Sequence, residues 1–578
     1  VFASCDEVIE ETYHTIEDQQ TMMEPFTANC WMDTYGRLVI QSATQIPFHV
    51  RRNMANALGI PKSKIRVIKP RIGGGFGAKQ TAVVERFPAV VTWLTGKPSK
   101  IYYTREETMI AGSARHEMEV TVKLGAMKDG TIRAIEVHAL SNTGAYGEHG
   151  PTTIGLVGHK SIPLYSGKYE AFRFVANTVY SNHPSAGAYR GYGATQGVFA
   201  MENTVNLMAH KLGIDPVKIR EHNMLHEGDI MTAYNNETAN ACALDQCMAR
   251  CKEMMDWDSK FPAKTLPNGH IRSVGVAMAM QGSCISFVDE ANVTIKMNDD
   301  GFYSLLVGST DMGTGSDTIL AQMAADVLEC DLDDVVTYGV DTDTSPYDSG
   351  SYASSTTYLT GNAVVKAAEQ LRQNITEQAA KRLECPKDEV AFDGKVLTCV
   401  STGSSITLKD LANQLQGGTE GWQSVTAGGN SPVSPPPYMV GMAEIDVDPE
   451  TGKVVPIKYT ACVDCGTVVN PNLARVQTEG GLMQGLGMAL YEGQNYNGAG
   501  FNRMRNLMQY KIPTRMDIPE IEVDFRQSYE PTGPFGAKSI GEIVINTPSP
   551  AIAHAIFNAT GVMHHELPIM PEHVWRGI

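Results

Sequence analysis

The first part of the chain alternates apolar and polar positions with both strand-like and helix-like periods. The pattern predicts, in order, a strand at residues 37–43, a helix at 50–59, a strand at 64–69 and a hairpin with strands 120–124 and 131–138. Gly59 and Pro61 end the helix, because glycine accepts the left-handed conformation and proline cannot continue a helix. The sequence Lys128-Asp-Gly is a typical hairpin turn.

A second series of such elements begins near residue 270. Residues 291–297 and 302–307 flank an Asn-Asp-Asp-Gly turn, which predicts another hairpin. Residues 230–268 are polar and mixed, which favours an inter-domain stretch, and residues 417–437 are predicted to form a surface loop. The pattern therefore predicts an α+β protein made of two large mixed α/β domains, residues 1–235 and 265–578, with a cleft between them.

Composition and charge exclude several classes of function. The formal net charge is −17, so the surface repels phosphate backbones and anionic lipids, and neither a nucleic acid nor a membrane is an expected partner. Eleven irregularly spaced cysteines argue against a disulfide framework and favour a reducing, cytoplasmic compartment. Cys462 and Cys465 form a lone CxxC pair, which is better explained as buried thiols than as a metal site.

Five glycine-rich segments stand out, and each is interpreted as a turn. The first is residues 73–80, the second 308–318, the third 348–355, the fourth 477–487 and the fifth 188–196. Such turns allow positive φ and let the backbone approach a ligand closely, and free N–H groups at a helix start bind anions. None has the spacing of a P-loop or a Rossmann turn, which argues against a simple nucleotide-binding module. Together they predict a long, phosphate-bearing cofactor in the cleft.

The same segments carry a resemblance to a known family. The sequences GGGFGAK (73–79), AYRGYG (188–193), DCGTVVNP (464–471), QGLG (484–487) and KSIGE (538–542) occur in the order seen in molybdenum hydroxylases. That family includes xanthine dehydrogenases, aldehyde oxidoreductases and nicotinate dehydrogenases. Residues 144–150 and 184–193 look most like bacterial xanthine dehydrogenase molybdenum subunits. The resemblance covers nearly the whole chain.

The resemblance implies a molybdopterin, in its cytosine dinucleotide form, that holds molybdenum through a dithiolene with no side-chain ligand. Gln45 matches a glutamine that donates to a molybdenum oxo group, and Arg190 matches an arginine whose backbone lies near that group. The residues expected to bind the cofactor are Gln45, Gly74, Gly75, Phe76, Gly77, Arg190, Met312, Gly313, Thr314, Gly315, Gly350, Ser351, Tyr352, Ala353, Ser354, Ser355, Gln484 and Gly541. Thr314 stands where the family usually has glutamine, and Gln20 where it often has histidine.

Glu542 is the candidate catalytic base. It lies between Gly541 and Ile543 and shortly before an apolar helix, so burial is expected to raise its pKa toward neutrality. The alternative from the residues alone is an acid that caps a helix or pairs with Lys538. The resemblance assigns the base role to Glu542.

Three residues are expected to contact substrate. Gln80 stands where purine-specific members have a glutamate after the glycine turn, Lys160 stands where they have an arginine, and Tyr192 matches an aromatic that stacks on flat rings. A solvated loop lysine and a core tyrosine are the plainer alternatives for the last two. Lysine supplies charge without the bidentate geometry of arginine.

The resemblance implies oxidative hydroxylation of an electron-poor purine carbon, with water as the oxygen source. The alternatives are the same chemistry on another N-heterocycle or an aldehyde, and a non-catalytic cofactor-binding assembly subunit. No iron–sulfur or flavin motif occurs, so [2Fe-2S] and FAD centres are expected on partner subunits. The resemblance also implies a further N-terminal domain. That domain is expected either on a separate chain or on a precursor from which this chain was processed.

Overall fold

The computed structural model describes residues 1–578. The helices are α1 Pro47–Leu58, α2 Arg86–Thr95, α3 Arg105–Ala111, α4 Gly150–His159, α5 Gly193–Leu212, α6 Pro216–Asn223, α7 Leu244–Met255, α8 Trp257–Lys260, α9 Ser316–Leu328, α10 Gly361–Leu383, α11 Leu408–Gln416, α12 Pro471–Leu490, α13 Pro548–Thr560 and α14 Pro571–Gly577. The strands are β1 Glu7–Thr15, β2 Thr27–Met32, β3 Leu38–Ser42, β4 Ile65–Ile68, β5 Ser99–Tyr102, β6 Glu117–Ala126, β7 Ile132–Asn142, β8 Ala171–Val179, β9 Ile230–Met231, β10 Glu237–Thr238, β11 Lys264–Thr265, β12 Ile271–Met280, β13 Glu290–Met297, β14 Tyr303–Val307, β15 Val335–Tyr338, β16 Val390–Phe392, β17 Val396–Cys399, β18 Ser405–Thr407, β19 Ser424–Asn430, β20 Tyr438–Val447, β21 Val454–Asp464, β22 Glu520–Phe525 and β23 Glu566–Leu567. None of these helices is both long and apolar enough to cross a membrane.

The strands form two larger sheets in each part of the chain, which confirms the mixed α+β class. The first part has a five-stranded sheet in the order β23-β1-β6-β7-β8 and a four-stranded sheet β4-β3-β2-β5. The second part has a five-stranded sheet β11-β12-β20-β21-β22 and a four-stranded sheet β15-β14-β13-β19, with a smaller sheet β16-β17-β18. Because β23 pairs with β1, the C-terminal segment returns to the first sheet.

The elements with the clearest sequence patterns are confirmed. The helix that was expected at residues 50–59 is α1, and it ends at Gly59 with φ of 66°. Both predicted hairpins form, with β6 antiparallel to β7 and β13 antiparallel to β14. Local turn chemistry therefore determined these connections.

One predicted connection is wrong. Residues 417–437 contain β19, which pairs antiparallel with β13. A Cβ on Gly428 would lie 2.1 Å from the Ala291 backbone oxygen, so this glycine permits the strand pairing although glycine is rare in strands. Residues 230–268, the predicted inter-domain stretch, contain α7, whose apolar face is buried.

The main hydrophobic core is shared by both parts of the chain. One cluster of 71 buried residues takes side chains from β6, β7 and α5 and also from β12, β20 and α13. A second cluster of 26 buried residues belongs to the sheet β15-β14-β13-β19 with α9 and α10. The predicted domain boundary at residues 235–265 therefore separates two parts of the sequence, but both parts contribute side chains to the main hydrophobic core.

The cysteines mostly behave as expected. Cys385 and Cys399 form a disulfide that links the segment after α10 to the last residue of β17, which the sequence pattern did not predict. The other nine are free thiols, and Cys462 and Cys465 are both buried. The CxxC pair therefore packs as buried thiols.

A fully buried ion pair joins α5, α6 and β12 beneath the core. Arg220 Nε donates to Glu202 Oε2 at 2.9 Å, and the Met278 backbone N–H donates to the same oxygen at 2.7 Å. Both side chains are wholly inaccessible to solvent. Removing one partner leaves the other charge buried without compensation.

We expect Glu202→Ala to destabilise the fold by about 3–5 kcal/mol, because Arg220 would remain buried without its partner. The measurement is the midpoint of thermal unfolding. The matched control is Asp331→Ala, which removes an exposed ion pair with Lys395 and should leave the midpoint unchanged. Equal midpoints for the two variants would contradict the role of the buried pair.

Candidate active site

A cavity of about 610 Å³ is lined by segments that are far apart in the sequence. Four of the five glycine-rich segments reach it as turns or turn edges, and α12 supplies another wall. The predicted site residues on its lining are Gln45, Gly74, Phe76, Gly77, Gln80, Arg190, Tyr192, Met312, Gly313, Thr314, Ser351, Tyr352, Ala353, Ser354, Ser355, Gln484, Gly541 and Glu542. Gly75, Gly315, Gly350 and Lys160 do not line the cavity.

Gln45 holds the first and third turns together. Its Oε1 accepts a hydrogen bond from the Gly77 N–H at 3.1 Å, and its Nε2 donates to the Ser351 backbone oxygen at 2.7 Å. A Cβ on Gly75 would lie 2.5 Å from Gln45 Oε1, so only glycine allows this approach. Gly75 therefore supports Gln45 from behind the cavity wall.

Glu542 is buried, with 9% of its surface exposed, and its carboxyl faces the cavity. Oε1 accepts from the Gly191 N–H at 3.2 Å, and Oε2 accepts from the Ser354 hydroxyl at 2.8 Å. Burial raises the pKa of Glu542, and these two hydrogen bonds lower it in part. The prediction of a buried carboxyl with a raised pKa is confirmed.

Lys538 does not pair with Glu542. Its Nζ donates to Asp464 Oδ2 at 2.9 Å and to the Ala241 backbone oxygen at 2.9 Å, and neither charged side chain is exposed. The alternative in which Glu542 is the partner of Lys538 is therefore wrong. The Asp464 pair instead anchors the segment that leads to Glu542.

The Arg190 side chain joins the fifth turn to the segments around Glu542. Nε donates to the Gly541 backbone oxygen at 2.6 Å, Nη1 donates to Gln484 Oε1 at 3.2 Å, and Nη2 donates to the Gln477 backbone oxygen at 3.1 Å. Burial lowers the pKa of Arg190 to about 10, so the guanidinium stays charged at neutral pH. This side chain positions Gln484 and Gly541 at the cavity.

The segment at residues 477–487 is no turn, which corrects the sequence interpretation. It lies inside α12, whose first turn is capped by Asn470 Oδ1 accepting from the Leu473 N–H at 3.1 Å. A Cβ on Gly481 would lie 2.3 Å from the Val544 side chain, so this glycine lets the helix pack against residues 543–545. The glycines here serve helix packing, and that packing supports the position of Glu542.

Asp311 already accepts hydrogen bonds from four N–H groups of the second turn, which limits the predicted anion site. Asp311 Oδ1 accepts from the N–H groups of Gly313, Thr314 and Gly315 at 2.8, 3.1 and 3.3 Å. The turn is thereby closed by its own carboxylate, a common local use of aspartate. Met312, Gly313 and Thr314 still line the cavity.

The third turn presents unusual backbone to the cavity. Ala353 and Ser354 adopt left-handed φ angles of 50° and 57°. Their N–H groups donate to no other atom of the chain, and both residues lie on the cavity wall. Gly350, with φ of 121°, packs behind the wall against Ile46. This turn therefore offers two free backbone donors to the cavity.

The predicted substrate residues divide into two groups. Tyr192 and Gln80 line the cavity together, and the Tyr192 hydroxyl donates to Gln80 Oε1 at 2.5 Å. Lys160 lies behind the wall, where Nζ donates to the Tyr234 hydroxyl at 2.8 Å and sits 4.1 Å from the centre of that ring. Burial lowers the pKa of Lys160 to about 7. Lys160 is thus no solvated loop residue.

Sequence reasoning missed part of the lining. The residues concerned follow the third turn, precede or begin α12, or precede Glu542, and they are Thr356, Thr357, Cys465, Thr467, Val468, Val469, Asn470, Leu473, Lys538 and Ile540. The pair Asn470-Pro471 is a clear helix-start signal that would have located α12. Leu473, Gln477 and Gly480 then recur at helical spacing on its cavity face.

Comparisons with known proteins agree with this geometry. Residues 1–224 and residues 250–519 each match a family described as Molybdopterin cofactor-binding domain. The aldehyde oxidoreductase of Desulfovibrio gigas superposes with a TM-score of 0.85 at 26% identity, over 100% of this chain and 62% of that chain. Quinoline 2-oxidoreductase from Pseudomonas putida 86 shares the fold, with a TM-score of 0.93 at 24% identity over 100% of this chain and 77% of that chain.

Two curated relatives come from Escherichia coli (strain K12). The "Probable hypoxanthine oxidase XdhD" is 39% identical over 99% of this chain and 60% of its own length. The "Putative xanthine dehydrogenase molybdenum-binding subunit XdhA" is 35% identical over 99% of this chain and 77% of its own length. The chain thus spans about 60% of the first of these relatives. With these matches across both halves, the chain belongs to the xanthine dehydrogenase and aldehyde oxidoreductase family of molybdenum hydroxylases, as its molybdopterin-binding domains.

Proposed function

We propose that the protein is the catalytic part of a molybdenum hydroxylase that oxidises an electron-poor carbon of a purine, with water as the oxygen source. The observation that carries the proposal is the buried Glu542 carboxyl, which faces the cavity between the Gly191 N–H and the Ser354 hydroxyl. Electrons would pass to an iron–sulfur partner subunit and on to an FAD subunit.

The cavity suits a molybdopterin in its chemistry. Its wall is made largely of glycine, serine, threonine and amide side chains, with two free backbone donors at Ala353 and Ser354. Cys465 is the one cysteine on the wall and no histidine lies there, so a cofactor that brings its own metal ligands fits the donor set. The bound cofactor supplies the metal and the two-electron redox chemistry.

The cofactor would be held by Gln45, Phe76, the backbone at Arg190, residues 351–355 and Gln484. We propose the cytosine dinucleotide form, because the lining continues beyond these residues to Thr356, Thr357 and Asn470 on α12, which is consistent with an elongated ligand. Asp311 accepts hydrogen bonds from the backbone of the second turn. Met312, Gly313 and Thr314 would therefore contribute mainly a surface that the cofactor contacts.

Glu542 would act as the general base, taking a proton onto a carboxylate oxygen as the new carbon–oxygen bond forms. A raised pKa brings the carboxylate closer to the pKa of the group it deprotonates, which favours transfer near neutral pH. Gly191 and Ser354 would orient the two oxygens. Arg190, which hydrogen-bonds Gly541, would keep the neighbouring backbone in place.

Tyr192 and Gln80 would form the part of the pocket that meets a flat heterocycle. Lys160, buried behind the wall with its pKa lowered to about 7, would contribute positive potential toward negative charge on the ring when it is protonated. Relatives with names that include hypoxanthine oxidase and xanthine dehydrogenase support a purine. The relatives also include a nicotine 6-hydroxylase large subunit and an aldehyde oxidoreductase. Their names support another N-heterocycle or an aldehyde as the second candidate substrate class.

Glu542→Gln should lower kcat by about 10²–10⁴-fold with molybdenum fully loaded, because glutamine keeps the shape but cannot accept the proton. The measurement is turnover normalised to the molybdenum content of the purified complex. Glu530→Gln is the matched control, since Glu530 is also buried but lies outside the cavity wall. Near wild-type turnover in Glu542→Gln with molybdenum fully loaded would show that Glu542 is not the catalytic base.

The pH dependence should show an acid limb set by Glu542. Because the base must be ionised, kcat/KM should rise with pH through the raised pKa of this carboxyl. Ser354→Ala removes a donor that stabilises the carboxylate, so the pKa should rise further and the acid limb should move to higher pH. An unmoved limb, or one that moves to lower pH, would contradict this assignment.

A substrate panel tests the purine assignment. Xanthine and hypoxanthine should be oxidised with higher kcat/KM than nicotinate or benzaldehyde. Lys160→Met should lower kcat/KM for purines by about tenfold or more and leave benzaldehyde oxidation nearly unchanged, because only the purine ring develops charge that the lysine stabilises. Tyr35→Phe, an exposed substitution far from the cavity wall, is the control. An equal loss on all substrates would indicate a purely structural lysine.

A further inference from the structure

A single peptide group connects the Glu542 carboxyl to a buried arginine. On one side of this peptide, the Gly191 N–H donates to Glu542 Oε1 at 3.2 Å. On the other side, Arg115 Nη2 donates to the Arg190 backbone oxygen at 3.0 Å. The peptide bond between Arg190 and Gly191 is trans, so its oxygen and its N–H point in opposite directions. Arg115 therefore holds the far side of the peptide that donates to Glu542.

The Arg115 guanidinium binds the fifth turn at a second point. Its Nη1 donates to the Tyr192 backbone oxygen at 3.1 Å. A guanidinium presents its N–H donors in a rigid planar fork, so it can bind two carbonyl oxygens of one turn at the same time. Gly191 lies between these two carbonyls with φ of 88°, and glycine alone would allow many other conformations. The two hydrogen bonds select the conformation in which the Gly191 N–H faces Glu542.

Arg115 is itself fixed by neighbouring segments. Its Nε donates to Asp18 Oδ1 at 2.8 Å, and its backbone N–H donates to the Asp18 backbone oxygen at 2.9 Å. The guanidinium carbon lies 4.2 Å from the centre of the Tyr189 ring. Arg115 is 1% exposed and Asp18 is 2% exposed. These contacts hold the guanidinium with its remaining donors toward the fifth turn.

Arg115 reaches the catalytic carboxyl only through the backbone. It does not line the cavity, and the hydrogen bonds that Glu542 accepts come from Gly191 and Ser354. A charged donor on the carbonyl oxygen of a peptide polarises that peptide, which makes the N–H on its other side a stronger donor. Arg115 can therefore affect both the direction and the strength of the hydrogen bond to Glu542.

We propose that Arg115 is a positioning residue for the catalytic base of the proposed function, on which this inference rests. By holding the carbonyls of Arg190 and Tyr192, it keeps the Gly191 N–H on Glu542 Oε1. Burial raises the pKa of Glu542, and the hydrogen bonds from Ser354 and Gly191 lower it in part. Without Arg115 the carboxyl would lose one of these donors and would ionise at a higher pH.

A purely structural arginine is the alternative. In that case Arg115 only compensates the buried carboxylate of Asp18, and its replacement would lower the stability of the fold without altering Glu542. The two roles therefore predict different results for the ionisation of Glu542, which can be measured without turnover.

The test is Arg115→Lys in the purified, molybdenum-loaded complex. Lysine keeps a positive charge beside Asp18 but lacks the planar fork that binds both carbonyls. Infrared spectra of each protein, minus spectra of the same protein with Glu542→Gln, follow the carboxyl C=O stretch of Glu542 as a function of pH. We expect Arg115→Lys to raise the midpoint of this titration by about 0.5–1 pH unit, because one hydrogen bond to the carboxylate is lost. The acid limb of kcat/KM should move to higher pH by the same amount.

Arg220→Lys is the matched control. Arg220 is also fully buried and paired with a carboxylate, that of Glu202, but it makes no hydrogen bond to the fifth turn. This variant should lower the midpoint of thermal unfolding and leave the titration of Glu542 unmoved. The other titratable groups that interact with Glu542 remain unaltered in both variants, and they are Arg190, Lys160, Tyr192 and Asp289.

A second variant covers the case in which Arg115→Lys does not fold. Arg115→Gln combined with Asp18→Asn removes both buried charges together, so neither is left unpaired, and it should move the titration of Glu542 in the same direction. An unmoved titration in a folded variant would overturn the positioning role of Arg115. A titration that moves while the acid limb of kcat/KM stays in place would support the positioning role and overturn Glu542 as the base of the proposed function.

Discussion

The site depends on one buried carboxyl group that is held by two donors from distant segments. Glu542 receives the Gly191 N–H on one oxygen and the Ser354 hydroxyl on the other. A buried carboxylate is unfavourable unless its oxygens are hydrogen-bonded, so these segments must stay within hydrogen-bond distance of each other. The cavity takes its shape from this requirement, because the turns that supply the donors are also its walls.

Close backbone packing makes that arrangement sterically feasible. A Cβ on Gly77 would lie 2.5 Å from the Ala188 backbone oxygen, and a Cβ on Gly485 would lie 2.7 Å from the Ile545 backbone oxygen. Glycine therefore serves two purposes here, turning the backbone at Gly77 and bringing α12 against the segment after Glu542. The shared hydrophobic core keeps both parts of the chain in a fixed relation around these contacts.

The cationic side chains near the cavity have few charged partners. Arg190 makes its hydrogen bonds to backbone and amide oxygens and forms no ion pair, and Lys538 is neutralised by Asp464. Lys160 rests on a tyrosine without a carboxylate partner. No cationic side chain forms a salt bridge with Glu542, which leaves its carboxyl free to take up a proton.

Several elements were predictable because their signals are local. Gly59, the hairpin turns and the positive-φ glycines act through their own backbone, so their neighbours in sequence are sufficient to identify them. The Asp311 turn was also within reach, since an aspartate two residues before a glycine commonly binds its own amides. The assignment of residues 477–487 failed because glycine allows both turns and close helix packing, and only the packing partner distinguishes them.

By itself the sequence determined the class of the fold, the order of the motifs and the identity of the buried acid, because these follow from residue type and short-range spacing. Only the tertiary structure decided that Lys160 lies behind the wall, that α12 forms a side of the cavity and that Arg190 binds next to Glu542. The hydrogen bond from Arg190 to Gly541 joins residues 351 positions apart. Contacts over such separations depend on how whole elements pack, and no local pattern encodes them.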